Sequence, residues 1–364
     1  MFSRREFLES STKAIALAGG VAMGLESLVG CTLKETREDI TNQRWDINPI
    51  ILIPKEGCYI GGHHSEGSMG LWINAALNAK DYGLVIGKVP AFWDFSIGWD
   101  SGYNDRFPKE ECDYLINEGI IPQVKYQIYP FANGKVKIFK TTAKGNYDEY
   151  IKRFIKQVLD FGKPVMFVPF KEANSKGGYW PYAGESSRWF KEAWRHMHDI
   201  FEREGANTNT IWALNYLGTC FRSARNLESF YPGDDVVDWI GFTVVNRVMV
   251  RQYPWTHFRY LFSADYKWAR HNHPTKPLAL FEMVQSNNRN QPKWIRKAYG
   301  DVKKRFPAIK MVQWWEARFR VEGWGIDDQH FSSNTESIEA MQEVHKDPYF
   351  IGAPLAFLEK YRRD

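Results

Sequence analysis

Four acidic residues of this 364-residue chain stand at or just beyond the ends of apolar runs rather than among solvated charges: Asp94, Glu172, Glu282 and Glu316. An acid in mid-helix is usually solvated, whereas one that closes a buried strand has to be tolerated there for a reason. Glu172 follows Val165-Met166-Phe167-Val168-Pro169-Phe170-Lys171 and precedes the ring-rich stretch Gly178-Tyr179-Trp180-Pro181-Tyr182. Glu282 closes Pro277-Leu278-Ala279-Leu280-Phe281. Two carboxyls around one cleft can split a glycosidic bond, one protonating the leaving oxygen while the other attacks or activates water. Trp180 and Tyr182 offer flat apolar faces of the kind on which a sugar ring stacks. Taken locally, either acid could instead pair with a neighbouring Lys or Arg.

Eight short apolar runs carry these residues, over 57–61, 82–92, 120–129, 164–170, 210–217, 236–245, 277–284 and 308–315. Between them the period becomes helical. Tyr147, Tyr150, Ile151, Phe154, Ile155, Val158 and Leu159 form an apolar stripe that opens on Asn146, with Glu149 three residues on, and closes on Gly162 and Pro164. A second stripe, Trp189 to Phe201, starts after Ser186 and ends near Gly205, and further helices are expected over 108–119, 255–270, 292–306 and 334–344. Alternation of this kind predicts an α/β fold with parallel pairing and right-handed crossovers, closed into a (β/α)8 TIM barrel. An open doubly wound sheet is the rival, but no G-x-G-x-x-G follows the first strand. Barrel chemistry sits at the C-terminal strand ends, which places Glu172 after strand four and Glu282 in strand seven. Trp93, Asp94, Asn215, Tyr216 and Asn246 are candidates for the same rim. Glu316, on a strand opposite strand four, is expected to contact substrate or to make a structural ion pair.

The N-terminal residues read as a targeting segment. Ser3-Arg4-Arg5-Glu6-Phe7-Leu8 resembles a twin-arginine export signal, the run 14–24 has the length of a signal core, and Leu28-Val29-Gly30-Cys31 resembles a lipobox. The expected organisation is a signal peptide over 1–30, a lipidated Cys31, a tether over 31–47 and one catalytic domain over 48–364. Such a protein is exported, periplasmic or on the cell surface, and meets the membrane only through its lipid. A monomer is expected. The net charge of +5 is spread without blocks of like charge, so no nucleic-acid footprint is present. Cys58, Cys112 and Cys220 are too few for a disulfide framework, and no zinc-ligand spacing occurs. His63-His64-Ser65-Glu66 reads as polar lining rather than a metal cluster, so no metal and no cofactor are expected.

Three segments together resemble glycoside hydrolase family 26. Val168-Pro169-Phe170-Lys171-Glu172-Ala173-Asn174, with Trp180-Pro181-Tyr182-Ala183-Gly184, matches that family's R-P-x-H-E-x-N-G followed by W-Y-P-W. Tyr231-Pro232-Gly233-Asp234-Asp235-Val236-Val237-Asp238-Trp239-Ile240-Gly241 matches Y-P-G-D-x-Y-V-D-W-I-G, and Lys276-Pro277 through Glu282 matches K-P-x-x-x-x-E. The resemblance implies retaining double displacement on a β-linked polysaccharide, β-mannan first, with β-xylan or β-glucan as alternatives. It makes Glu172 the acid/base and Glu282 the nucleophile, places Trp314 under the sugar at the cleavage point, and makes Lys171, Asn174, Trp180 and Tyr182 substrate contacts. Lys171 stands where the family has histidine, Val168 where it has arginine and Ser175 where it has glycine. An ammonium beside Glu172 works against a general acid unless Lys171 pairs instead with Glu282. These departures keep a second reading in view, a surface glycan-binding protein without turnover.

Overall fold

Eight strands pair in parallel, each with the next in sequence: β1 Cys58–Ser65, β2 Phe92–Trp99, β3 Ile121–Ile128, β4 Val165–Pro169, β5 Thr210–Leu217, β6 Trp239–Asn246, β7 Leu278–Gln285 and β8 Ile309–Val321. Pairing of β8 with β1 closes the sheet, and the expected (β/α)8 TIM barrel results. The computed structural model describes residues 53–353 except 55, 66–71, 100–106, 129–136, 178–179, 209, 222, 248–253 and 322–324. The expected signal peptide, Cys31 and the tether lie outside the described residues. Helices α1 Trp72–Ile86, α2 Lys109–Asn117, α3 Ile138–Ala143, α4 Asp148–Phe161, α5 Ser187–Arg203, α6 Phe258–Asn272, α7 Gln291–Arg305 and α8 Thr335–His345 lie between and after the strands. A short β9, Gly325–Asp328, folds back antiparallel on β8, and β10, Phe350–Ile351, adds beside β1.

Local signals set most boundaries. Ser186 accepts the Trp189 amide at the start of α5, Asn334 accepts the Glu336 and Ser337 amides at the start of α8, and Gly162 takes φ 62° at the end of α4. Asn146 does not cap α4: Tyr147 occupies that position without a side-chain cap. The expected strand over 82–92 is corrected as well. Tyr82, Val85 and Ile86 are buried at helical spacing as the last turn of α1, Gly87 at φ 74° ends that helix, and β2 begins only at Phe92. Asp94 therefore lies within its strand rather than after it.

Strand alternation sorts the rings into two cores. Trp212 on β5 faces outward onto Phe167, Trp194 and Phe201, whereas Phe92 on β2 meets Trp239 on β6 across the lumen, with ring centroids 6.5 Å apart.

One irregularity decides the site. The β6–β7 register passes from Phe242↔Leu280 to Thr243↔Glu282, so Phe281 is an extra residue, and the β7–β8 register slips over the same stretch. Leu280 shares the outer face with Phe242, whose ring packs on Phe262 and Trp268 of α6. Regular alternation would send Glu282 outward with Leu280; the bulge turns both Phe281 and Glu282 into the lumen. Gly241 makes this possible, because a Cβ there would overlap the Phe281 ring. Gly241→Ala is expected to destabilise the barrel by about 1–3 kcal/mol, read as a lower midpoint in urea unfolding; an unchanged midpoint would show that Phe281 has room to move.

Candidate active site

Just past β4 the backbone twice enters the left-handed region, at Phe170 (φ 56°) and at Glu172 (φ 53°). Such conformations are disfavoured for residues with a Cβ and persist only where the surroundings hold them. Here they are held by Phe170 N donating to Tyr126 O (3.3 Å), Glu172 N donating to Asn215 O (3.0 Å) and Tyr182 Oη donating to Lys171 O (2.6 Å). Lys171 Nζ forms an ion pair with Glu282 Oε1. The same ammonium lies 4.5 Å from the ring centre of Trp315 and 5.4 Å from that of Trp180. Trp180 Nε1 in turn donates to Glu172 Oε2 at 2.8 Å. One ammonium and one indole thus join the two glutamates at the C-terminal end of the barrel, and Lys171 takes the pairing with Glu282 that the sequence left as an alternative.

Glu282 is fully buried, which an unpaired carboxylate would not tolerate. Its Oε1 is met by Lys171 and, at 3.3 Å, by Lys125 Nζ of β3. Its Oε2 has no hydrogen-bond partner among the described residues. Lys125 also pairs with Asp94, which contacts His63 Nδ1 and Gln313 Nε2. Burial alone would push the Asp94 carboxyl up, but His63 and Lys125 outweigh it and hold Asp94 well below the usual carboxylate range. For Lys125, burial is likewise outweighed by Asp94 and Glu282, so its ammonium is held above its ordinary value.

Several expected contacts are sealed away from this mouth. Trp93 is fully buried on the outer face of β2, its ring 5.3 Å from Tyr82 of α1. Trp314 is likewise buried outside the barrel, between Trp294 and Phe331, with Nε1 donating to Gln329 O. The ring at the mouth is Trp315, one residue on, where alternation turns the side chain inward beside His63. The Asn174 amide is spent on backbone, giving to Leu217 O and Arg225 O and accepting from Leu217 N, so it ties the β4 loop to the end of β5. Tyr182 is buried against Phe139 and supports Lys171 from behind. Asn246 is buried and gives to Thr256 O and Gln285 Oε1, pinning the β6–α6 loop. Tyr216 faces the helices, Asn215 is buried with Nδ2 near Thr243, and Glu316 accepts the Phe331 and Ser332 amides.

Lys125, Gln313 and Trp315 were not anticipated. A polar residue inside a buried run singles out Lys125 within Ile121–Ile128 as well as it singles out an acid. Asp94 and Glu172 set no parity for β8, so nothing local said which of Trp314 and Trp315 faces the lumen.

Residues 132–263 match the model of Glycosyl hydrolase family 26, a segment that includes β4 to β6 and Glu172. Endoglucanase H of Acetivibrio thermocellus is 24% identical over 297 residues, covering 78% of this chain and 31% of that protein. Beta-1,3-xylanase TXYA of a Vibrio species is 27% identical over 111 residues, covering 30% of this chain and 22% of that protein. The chain thus spans less than a third of the length of these two relatives. Among solved structures, GH26A from Muricauda sp. MAR_2010_75 superposes with a TM-score of 0.59 at 17% identity, over 86% of this chain and 98% of that one. A GH26 beta-mannanase from Bacteroides ovatus gives 0.58 at 17% identity, over 82% and 91%. These likenesses show a shared barrel.

The placements make two predictions. Trp314→Ala should cost about 3–5 kcal/mol of stability, while Trp315→Ala should leave the unfolding midpoint nearly unchanged and weaken polysaccharide retention in affinity gel electrophoresis about tenfold; the reverse pattern would return Trp314 to the site. For Asp94, a depressed folded value means its contribution is present above the unfolded value of 3.8 and is lost as pH falls below it. Asp94→Asn should therefore be less stable at neutral pH and lose less stability than wild type between about pH 5 and about pH 2, measured as urea midpoints across that range; parallel curves would contradict it.

Proposed function

We propose that this protein is a family 26 glycoside hydrolase, a retaining β-glycanase in which Glu172 is the acid/base and Glu282 the nucleophile. The observation that carries this reading is the division of labour on Glu282: Oε1 is held by two ammonium groups, and Oε2 is buried without a hydrogen-bond partner among the described residues. A buried unsatisfied acceptor calls for a reason, and an attacking atom supplies one. In the first step Oε2 bonds to the anomeric carbon as the glycosidic C–O bond breaks, and the leaving oxygen takes the Glu172 proton. In the second, water attacks that carbon, gives its proton to Glu172 and releases Glu282. Trp180, hydrogen-bonded to Glu172, and Trp315, under Lys171, supply ring faces beside the reacting bond.

β-Mannan is the first substrate by resemblance and by the Bacteroides ovatus structural neighbour, while the sequence relatives are called an endoglucanase and β-1,3-xylanases. A glycan-binding protein without turnover is the second reading, favoured by Lys171 sitting on Glu282, since a substrate must share or displace that ammonium. Incubation of the protein with β-1,4-mannan, β-1,4-glucan, mixed-linkage β-glucan and β-1,3-xylan separates the two. Reducing ends are expected from wild type, with the rate reduced on the order of 100- to 10,000-fold in Glu172→Gln and at least as much in Glu282→Gln. Proton NMR of the first product should show the β anomer before mutarotation. Products that persist in Glu282→Gln, or an α anomer first, would sink the mechanism; equal binding by all three proteins without products would favour the receptor.

A further inference from the structure

Below the rim, the barrel lumen holds a line of buried charge that ends on Glu282. His63 on β1 and Gln313 on β8 contact Asp94 on β2, Asp94 contacts Lys125 on β3, and Lys125 reaches across the barrel to Glu282 on β7. Five strands therefore converge on one ammonium. Lys125 is 1% exposed and sits within β3 inside the lumen, whereas Lys171, 5% exposed, lies past the end of β4 between the Trp180 and Trp315 rings. Its register partner on β4 is Val168, and paired residues of parallel strands face the same side. Val168 is the position at which the strand-four pattern would have supplied an arginine, and its short side chain brings no charge into the lumen.

We propose that Lys125, anchored by Asp94, is the positioning residue for Glu282: it fixes Oε1 so that Oε2 remains the attacking atom, and it brings from β3 the cation that position 168 of β4 lacks. This rests on the retaining reading above. The anchor matters because a lysine stem has four rotatable bonds, and an ammonium held by Glu282 alone could follow the carboxylate instead of fixing it. With Asp94 pinned from β1 and β8, the ammonium has a set place before substrate arrives. Among the described residues, the charged groups around Glu282 are Lys125 and Lys171 in direct contact, with Asp94 and His63 linked through Lys125 and Glu172 through Trp180 beside Lys171. Its partner on β6, Thr243, and the nearby β8 residue Trp314 are uncharged.

The test compares Lys125→Met, Lys125→Arg and Asp94→Asn on whichever panel polysaccharide wild type cleaves, together with crystal structures of wild type and Lys125→Met at one pH. For Lys125→Met, kcat should fall on the order of 10- to 100-fold with KM within about threefold. The acidic limb of kcat/KM should move to higher pH, and the Glu282 carboxylate should leave its wild-type position. Lys125→Arg keeps the charge and should hold kcat within about threefold. A folded Lys125→Met with Glu282 unmoved and the acidic limb unshifted overturns the proposal, as does Lys125→Arg as impaired as Lys125→Met. Should Lys125→Met fail to fold, Asp94→Asn, which frees the anchor but keeps both lysines, is expected to show a smaller fall and the same shift; its absence overturns the proposal. If wild type cleaves none of the polysaccharides, the hydrolase reading fails, and the position of Glu282 in the Lys125→Met crystals still decides whether Lys125 positions it.

Discussion

A carboxylate inside a closed barrel has lost its water, and Coulomb attraction to a cation at hydrogen-bond distance is what makes its charge bearable. Glu282 is in that position, and the side chains around it can be understood as consequences. It needs cations; Lys125 and Lys171 supply them. Lys125 is itself buried and needs an anion, which Asp94 provides, and Asp94 is completed by His63 and Gln313. Removal of any one member leaves another buried charge short of a partner, so the set behaves as a unit rather than as a sum of pairs.

Two departures from regular backbone put this unit where it can act. The bulge at Phe281 overrides alternation and turns Glu282 inward, and the left-handed residues Phe170 and Glu172 fold the end of β4 over the lumen. Neither is stable in isolation. The first requires the absent side chain of Gly241, and the second requires hydrogen bonds from β3, β5 and the Trp180–Tyr182 loop. Much of the polar lining expected to face a ligand serves this purpose. Asn174, Tyr182 and Asn246 bond backbone or neighbouring side chains and hold loops in place, which is why their chemistry resembled that of a binding site.

Helix and strand order were legible because they follow from periodicity, which is local. The stripe from Trp189 to Phe201 and the strand Thr210–Leu217 could be read directly, whereas 82–92 could not, because a helix end and a strand start merged into one apolar run broken only by Gly87. Glu172 and Glu282 stood out because an acid closing a buried strand is costly wherever it occurs. Lys125 carries the same signal, because a cation inside a buried strand is as costly as an acid there.

By itself the sequence determined the alternating elements, the closed barrel they make, the family resemblance and the candidacy of the two glutamates, since each depends on residue type and spacing along one segment. The tertiary structure alone decided that Trp315 and not Trp314 faces the mouth, that the bulge turns Glu282 inward, and that Lys125 on β3 meets a carboxylate on β7. Each of those outcomes depends on strand register or on contact across the lumen. Register shifts of one residue invert a side chain's face, and contacts between segments 157 residues apart leave no periodic trace in either of them.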